Sequence, residues 1–147
     1  MESPVQSDCA PLTEAVQAVR GAAERVSFVR DLTRGGLATI LNEAAGEEMG
    51  IVIREEAVPV RPAVRSLCEL LGVDALYLAC EGRLAAIVDP DSAGDVRDAL
   101  RSTPGSERAE SVGEVTEEYA GKVACETAYG TRRLLQMLSG EQLPRIC

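Results

Sequence analysis

The chain has 147 residues, 46% of them hydrophobic, and carries a net charge of −9 at pH 7. That length and apolar content suit one domain with a real core, and the acidic charge argues against binding to nucleic acid or to an anionic membrane surface. Histidine is absent, the five cysteines include no CxxC pair, and no long apolar run or signal peptide is present, so we expect no zinc site, no disulfide framework and a cytoplasmic protein.

Apolar residues at helical or alternating spacing predict a mixed α+β chain. The predicted helices run from Pro11 to near Gly21, from Leu37 to Ala44, from Pro62 to Leu71 and from Asp91 to Leu100, with a short amphipathic end that contains Leu134, Leu135 and Leu138. The predicted strands are 26–29, 50–53, 75–79, 84–88, 109–115 and 123–127. This order favours an α+β fold in which helices cover a mostly antiparallel sheet.

The segment between the first strand and the second helix is the richest in chemistry. It reads Arg30-Asp31-Leu32-Thr33-Arg34-Gly35-Gly36. Thr33 is the predicted N-cap, and the glycines would let a ligand approach the free N–H groups of the helix. With two flanking arginines, such a turn can hold a phosphate or a carboxylate. Ordinary capping, with Arg30 and Asp31 paired at the surface, explains the same residues without a ligand.

A second candidate lies in the turn predicted between strands 75–79 and 84–88, where the sequence is Cys80-Glu81-Gly82-Arg83. A hairpin turn that needs a positive φ explains Gly82 without any function, and this explanation is favoured. A thiol and a carboxylate at the tip of a strand are nevertheless placed to face a site. Cys68 and Cys125 fall on apolar elements, which predicts packed and unreactive thiols.

The last residues form a different kind of segment. We expect a folded domain over residues 1–138 and a flexible tail over 139–147 that ends in Cys147. Ser139 and Gly140 offer a hinge, and Pro144 can neither continue a helix nor donate to a sheet ladder. A short arm with a sulfur at its tip suits a carrier thiol that visits more than one site. A frayed, inert terminus is the alternative.

Several of these segments together match one protein family in order and spacing, from about Ser7 to the last residue. They are Ser7 to Leu12, Arg30 to Leu37, Leu41-Asn42-Glu43, Cys68 to Gly72, Glu81-Gly82 and the terminal Pro144-Arg145-Ile146-Cys147. The chain resembles the C-terminal domain of HypE, the hydrogenase maturation factor (carbamoyl dehydratase) of the PurM/AIR-synthase-like superfamily. The terminal motif is the specific part. The segment from Arg30 to Gly36, called here the arginine and glycine motif, is shared more loosely across the superfamily.

The resemblance implies a specific chemistry. In that family the terminal thiol, here Cys147, accepts a carbamoyl group from HypF, and the resulting thiocarboxamide is dehydrated with ATP to a thiocyanate. The cyano group then passes to iron on a HypC–HypD complex, for the active site of NiFe hydrogenase. Glu81 matches the carboxylate assigned as base, a role that needs a shielded cleft. The residues implied to line the pocket for the tail or the phosphates are Arg30, Asp31, Thr33, Arg34, Gly35 and Gly36.

The chain also departs from the family. Leu32, Cys80 and Arg83 stand where the family usually has Pro, Asn and Lys, and Cys80 removes an amide group beside the implied base. The family's N-terminal domain, which carries most of the ATP and Mg²⁺ site and the dimer interface, has no counterpart here, so the chain is expected to be inactive alone.

Two roles therefore stay open: the C-terminal part of the cyanide-forming enzyme, or a non-catalytic module that docks a partner or presents the tail. A C-terminal domain of selenophosphate synthetase or AIR synthase would explain the arginine and glycine motif but not the ending at Cys147.

Overall fold

The computed structural model describes residues 6–137, which contain four α-helices and six β-strands. The helices are α1 (Thr13–Ala22), α2 (Gly36–Ala44), α3 (Pro62–Leu71) and α4 (Ala93–Arg101). The strands are β1 (Val26–Leu32), β2 (Gly50–Arg54), β3 (Cys80–Val88), β4 (Gly113–Thr116), β5 (Val123–Glu126) and β6 (Arg132–Leu135). No helix in this part of the chain is long and apolar enough to cross a membrane.

The strands form two sheets. One has four strands in the order β4-β2-β5-β6, and the other pairs β1 with β3. Of these four pairings, only β2 with β5 is parallel. The predicted mixed α+β fold with mostly antiparallel pairing is therefore confirmed.

The core lies between α2 and the two sheets. Helix α2 buries six consecutive residues, Gly36 to Leu41, because its N-terminal half is apolar almost all round. Strand β2 is buried over Gly50–Ile53, as its continuous apolar run predicted. The buried cluster consists of Leu37, Ala38, Leu41, Ile51, Ile53, Leu76, Val123, Cys125 and Leu135. Aliphatic side chains thus provide the core, as expected for a chain with only four aromatic residues.

Helices α1 and α4 pack against each other beside β1. The inward residues of the two helices, Ala15, Val19 and Val96, are at most 5% exposed. The Asp89 carboxylate joins the residues just before β1 and α4, because it accepts hydrogen bonds from the Arg25 N–H at 2.8 Å and from the Ser92 hydroxyl at 2.6 Å. These bonds, led by the one from Ser92, lower the pKa of Asp89 below its ordinary value.

The predicted strand at 75–79 is wrong, since the structure has a single 3-10 turn there, Ala75–Tyr77. The Asp74 side chain accepts a hydrogen bond from the Leu76 N–H at 2.9 Å and so begins the turn. Leu76 is buried in the core and Tyr77 packs against it, whereas an isolated strand would need a pairing partner. The predicted hairpin turn at 80–83 is also wrong, because these residues belong to β3.

The amphipathic end predicted as a fifth helix is a strand. Strand β6 pairs antiparallel with β5 through a tight connection in which the Thr127 N–H donates to the Thr131 carbonyl at 2.8 Å. Gly130 supplies the positive φ of 76° that this turn needs. Leu135 is buried and Leu134 is exposed, which is the alternation of a strand with one buried face. Leu138 lies outside the described residues.

Candidate functional site

The arginine and glycine segment is divided between a strand, a turn and a helix start. Arg30 and Asp31 lie in β1 and not in the turn, because β1 extends to Leu32. The predicted N-cap at Thr33 is wrong. Gly35 occupies the N-cap position with a φ of 75°, and no side chain caps α2.

Close packing explains both glycines of this turn. A Cβ atom on Gly35 would lie 2.1 Å from the Thr39 Oγ1 atom, and one on Gly36 would lie 2.5 Å from the Leu78 carbonyl oxygen. Gly36 also has a φ of 61°, which L-residues with side chains rarely adopt. The chain that follows the 3-10 turn therefore packs directly on the start of α2. Glycine is needed here for the fold, whether or not a ligand approaches the open side of the turn.

The two arginines of the segment differ in their surroundings. The Arg30 guanidinium pairs with the Glu43 carboxylate of α2 at 3.2 Å, and both side chains are partly exposed. The surface pair expected between Arg30 and Asp31 is thus replaced by one between Arg30 and Glu43. Arg34 is exposed and makes no ion pair with the described residues, so its guanidinium is open to an anionic group.

Glu81 lies in a bulge at the end of the same two-stranded sheet. Asp31 pairs with Leu84 and the next residue, Leu32, pairs with Cys80, so residues 81–83 bulge out of β3. Because Leu32 leads directly into the arginine and glycine turn, the pairing brings Glu81 to the same end of the sheet as that turn. The Glu81 side chain is exposed to solvent. A cleft that shields its carboxylate would have to be completed by other residues.

The bulge also contains a contact that sequence patterns did not indicate. Gly82 is buried, and a Cβ atom there would lie 1.7 Å from the carbonyl oxygen of Asp8. The N-terminal segment therefore crosses directly over the bulge. Glycine at 82 permits this close approach of two backbones, whereas the sequence predicted a hairpin turn with a positive φ.

The described thiols differ in how far they are buried. Burial, together with the neighbouring Asp8 carboxylate, raises the pKa of Cys80 to about 11. Burial raises the pKa of Cys125 to about 11 and also raises that of Cys68. These thiols stay protonated at neutral pH and are poor nucleophiles, whereas Cys9 is exposed. Cys147, the predicted carrier, lies outside the described residues, as does the whole predicted tail 139–147.

Two clefts in the described part of the chain lie away from the candidate residues. Within residues 6–137, no group of three or more His, Cys, Asp or Glu side chains is arranged to hold a metal ion. An open cleft of about 280 Å³ lies beside Arg54 and Glu126, and another of about 440 Å³ lies between α1 and β1. Neither is lined by the arginine and glycine turn or by Glu81. The exposed candidates Arg30, Asp31, Arg34 and Glu81 thus form a rim around the turn, in which Gly35 and Gly36 are buried.

The sequence that forms this fold and rim matches one protein family. Residues 2–126 match the family described as AIR synthase related protein, C-terminal domain. The chain belongs to this family.

Within it, the chain is 48% identical over 148 residues to the carbamoyl dehydratase HypE of Rhodobacter capsulatus, a match that covers 100% of this chain and 44% of that protein. The resemblance to HypE seen in the sequence is therefore confirmed.

Solved structures agree with this assignment. A crystal structure of the hydrogenase maturation protein HypE superposes with a TM-score of 0.91 at 44% identity, covering 99% of this chain and 48% of that one. HypE in complex with ATP gives a TM-score of 0.89 at 44% identity, covering 98% and 44%. A HypE–HypF complex gives 0.85 at 36% identity, covering 92% and 44%. The chain thus spans less than half the length of the relatives it matches.

Proposed function

We propose that this chain is the part of a carbamoyl dehydratase that carries the acceptor thiol in hydrogenase maturation. One observation carries the proposal: similarity to HypE extends over 100% of this chain, and so includes its last residue, Cys147. The thiols of Cys68 and Cys125 are buried and that of half-buried Cys80 has a raised pKa, which leaves few sulfur atoms able to accept a group from a partner. A thiolate is a good nucleophile toward a carbamoyl carbon and keeps its bond to that carbon during dehydration.

In the proposed sequence, the Cys147 sulfur loses its proton and bonds to the carbamoyl carbon, while the bond that joined this carbon to its activating group on HypF breaks and that group stays with HypF. ATP then phosphorylates the carbamoyl oxygen, which leaves as inorganic phosphate while both protons of the carbamoyl nitrogen are removed. Glu81 is the proposed base for those protons. The product is a thiocyanate on Cys147, which we propose as the cyano donor for iron on a HypC–HypD complex.

The rim at the start of α2 supports a role in binding the phosphate groups that take part in this reaction. Arg34 is exposed and unpaired among the described residues, and Glu81 lies at the same end of the β1–β3 sheet. We assign Arg30, Asp31, Thr33, Arg34, Gly35 and Gly36 to the surface that meets the tail or the phosphates. Since this surface is open, the remaining part of the longer relatives would have to close it and supply most of the ATP and Mg²⁺ site and a homodimer interface.

The alternative is a module that docks a partner or presents the tail without chemistry of its own. The exposed positions of Glu81, Arg30 and Arg34 favour this alternative for the chain in isolation. Both roles require HypF to recognise the chain, but only the first requires a covalent step on the sulfur.

The intact mass of the chain distinguishes these roles. After incubation with HypF, carbamoyl phosphate and ATP, a carbamoyl group should add about 43 Da to the chain. Cys147→Ala should abolish the gain, whereas Cys9→Ala, which removes an exposed thiol of the folded domain, should leave it unchanged.

If the chain stays unmodified, the experiment is repeated with the N-terminal portion of a HypE relative added. Binding of HypF without any mass gain in both experiments would refute the carrier role and support the docking module.

A further inference from the structure

Helix α3 has a wider apolar face than the fold covers. Of its residues, only Cys68 is buried. At about 100° per residue, Leu71, Leu67 and Leu70 lie roughly 60°, 100° and 160° to one side of Cys68 around the helix axis. Their exposed fractions are 59%, 40% and 82%. The fold therefore buries one edge of the apolar stripe and leaves the rest at the surface.

This exposed face is unusual for the molecule. Amphipathic helices normally turn their apolar stripe toward the core, and exposed apolar side chains that cluster on one element mark an interaction surface. The opposite side of α3 carries the exposed charges of Arg65 and Glu69, as a solvent-facing surface should. The helix thus has a face toward water, an edge toward the core and, between them, a leucine surface without a partner among the described residues. We call this surface, formed by Leu67, Leu70 and Leu71, the α3 leucine face.

The described chain ends beside the 3-10 turn that follows this helix. The Arg133 guanidinium of β6 donates to the Asp74 carboxylate at 2.7 Å and to the Glu55 carboxylate at 3.3 Å. Further along, the Tyr77 hydroxyl donates to the Gln136 carbonyl at 3.0 Å. Asp74 and Tyr77 bracket the 3-10 turn that follows α3 and packs against it. These bonds tie the last described residues to the nearest neighbour of α3.

We propose that residues 138–147 dock on the α3 leucine face. This segment contains Leu138, Leu143, Pro144 and Ile146, which supply the apolar side chains that the face lacks. Ten extended residues reach about 33 Å, whereas α3 is about 15 Å long, so the segment has enough slack to cover the face and place Cys147 beside any of its three leucines. Docking would hold Cys147 against its own domain between encounters with a partner. The proposal concerns the position of the segment and stands apart from what its thiol carries.

Disulfide trapping tests the proposal directly. The variant combines Leu70→Cys with Cys9→Ser, so that the introduced thiol and Cys147 are the partners of interest. Under mild oxidation we expect an intrachain disulfide between these two positions, seen as a mass lower by about 2 Da and located by peptide mapping. The matched control is Val115→Cys in the same background. Val115 is 41% exposed on β4, at the opposite edge of the sheet from β6, and should link at least ten-fold more slowly.

The possible results are distinct. Leu70 is so exposed that its replacement should leave the circular dichroism spectrum unchanged, so a failure to link cannot be attributed to misfolding. The proposal is overturned if Leu70→Cys forms no intrachain disulfide, or if Val115→Cys links equally fast. Disulfides between two chains that disappear on dilution would assign the α3 leucine face to a second copy and would also overturn it. None of these results depends on HypF, so they leave the carrier role of Cys147 untouched.

Discussion

Replacing Gly36 with alanine measures how much the start of α2 depends on close packing. The residue has a φ of 61°, and the left-handed conformation costs a residue with a side chain about 1–2 kcal/mol. The new Cβ atom would also lie 2.5 Å from the Leu78 carbonyl oxygen and 2.7 Å from that of Leu76. Backbone atoms cannot rotate away as a flexible side chain can. Moving them strains a buried contact, and we expect a total loss of about 3 kcal/mol in the free energy of unfolding.

A second glycine provides the matched control. Gly72 has a φ of 67°, but a Cβ atom there would meet no heavy atom within 4 Å. Gly72→Ala should therefore lose only the conformational part, about 1 kcal/mol. Urea denaturation followed by circular dichroism gives both values. If Gly36→Ala and Gly72→Ala were equally stable to within about 0.5 kcal/mol, the packing explanation for Gly36 would be refuted.

Three further results are expected. Ile53→Ala should lower the free energy of unfolding by about 2–5 kcal/mol in urea denaturation, because Ile53 is 1% exposed in the core; a loss no larger than that of Val115→Ala would contradict this. The free energy of unfolding that Asp89 adds over Asp89→Asn should be constant between about pH 5 and pH 7 and shrink below about pH 4. The reason is that a carboxyl with a lowered pKa in the folded state loses its stabilising contribution as pH falls through that pKa. A pH-independent difference between the two proteins in urea titrations would contradict this. Alkylation at pH 8, read by peptide mapping, should modify Cys9 well before Cys80 or Cys125, whose pKa values are raised to about 11, and equal rates would contradict the burial of those thiols.

Much of the fold follows from local patterns in the sequence. The helical spacing of apolar residues predicted all four helices of the described chain to within a few residues, because each helix has an apolar stripe. The apolar run at 50–53 predicted β2, which is buried. The strand at 109–115 was placed too early, since β4 covers Gly113–Thr116. Only the pairing of β4 with β2 fixes where that strand begins.

The errors occur where distant parts of the chain decide the conformation. Gly82 looks like a turn glycine in sequence, but it is buried in β3 because the backbone of Asp8 crosses it. Leu134 and Leu135 fit either a helix or a strand, and pairing with β5 selects the strand. The structure brings Glu81 and the arginine and glycine turn to one end of a sheet, which spacing alone did not show.

The sequence also missed Glu43 as the partner of Arg30. Glu43 follows Arg30 by 13 positions, across a turn and a helix, so no short-range pattern pairs the two residues.

The conversion of a carbamoyl group to a thiocyanate on Cys147 tests the central proposal most directly. The chain is first carbamoylated by HypF and then given ATP and the N-terminal portion of a HypE relative. Its mass should fall from about 43 Da to about 25 Da above the unmodified chain as one water is lost, with the label mapped to the last peptide. Glu81→Gln should remain at about 43 Da, while Glu114→Gln, which changes an exposed carboxylate on β4, should convert normally. A label that never appears on Cys147, or one that ATP leaves unchanged in the unsubstituted chain, would contradict the account.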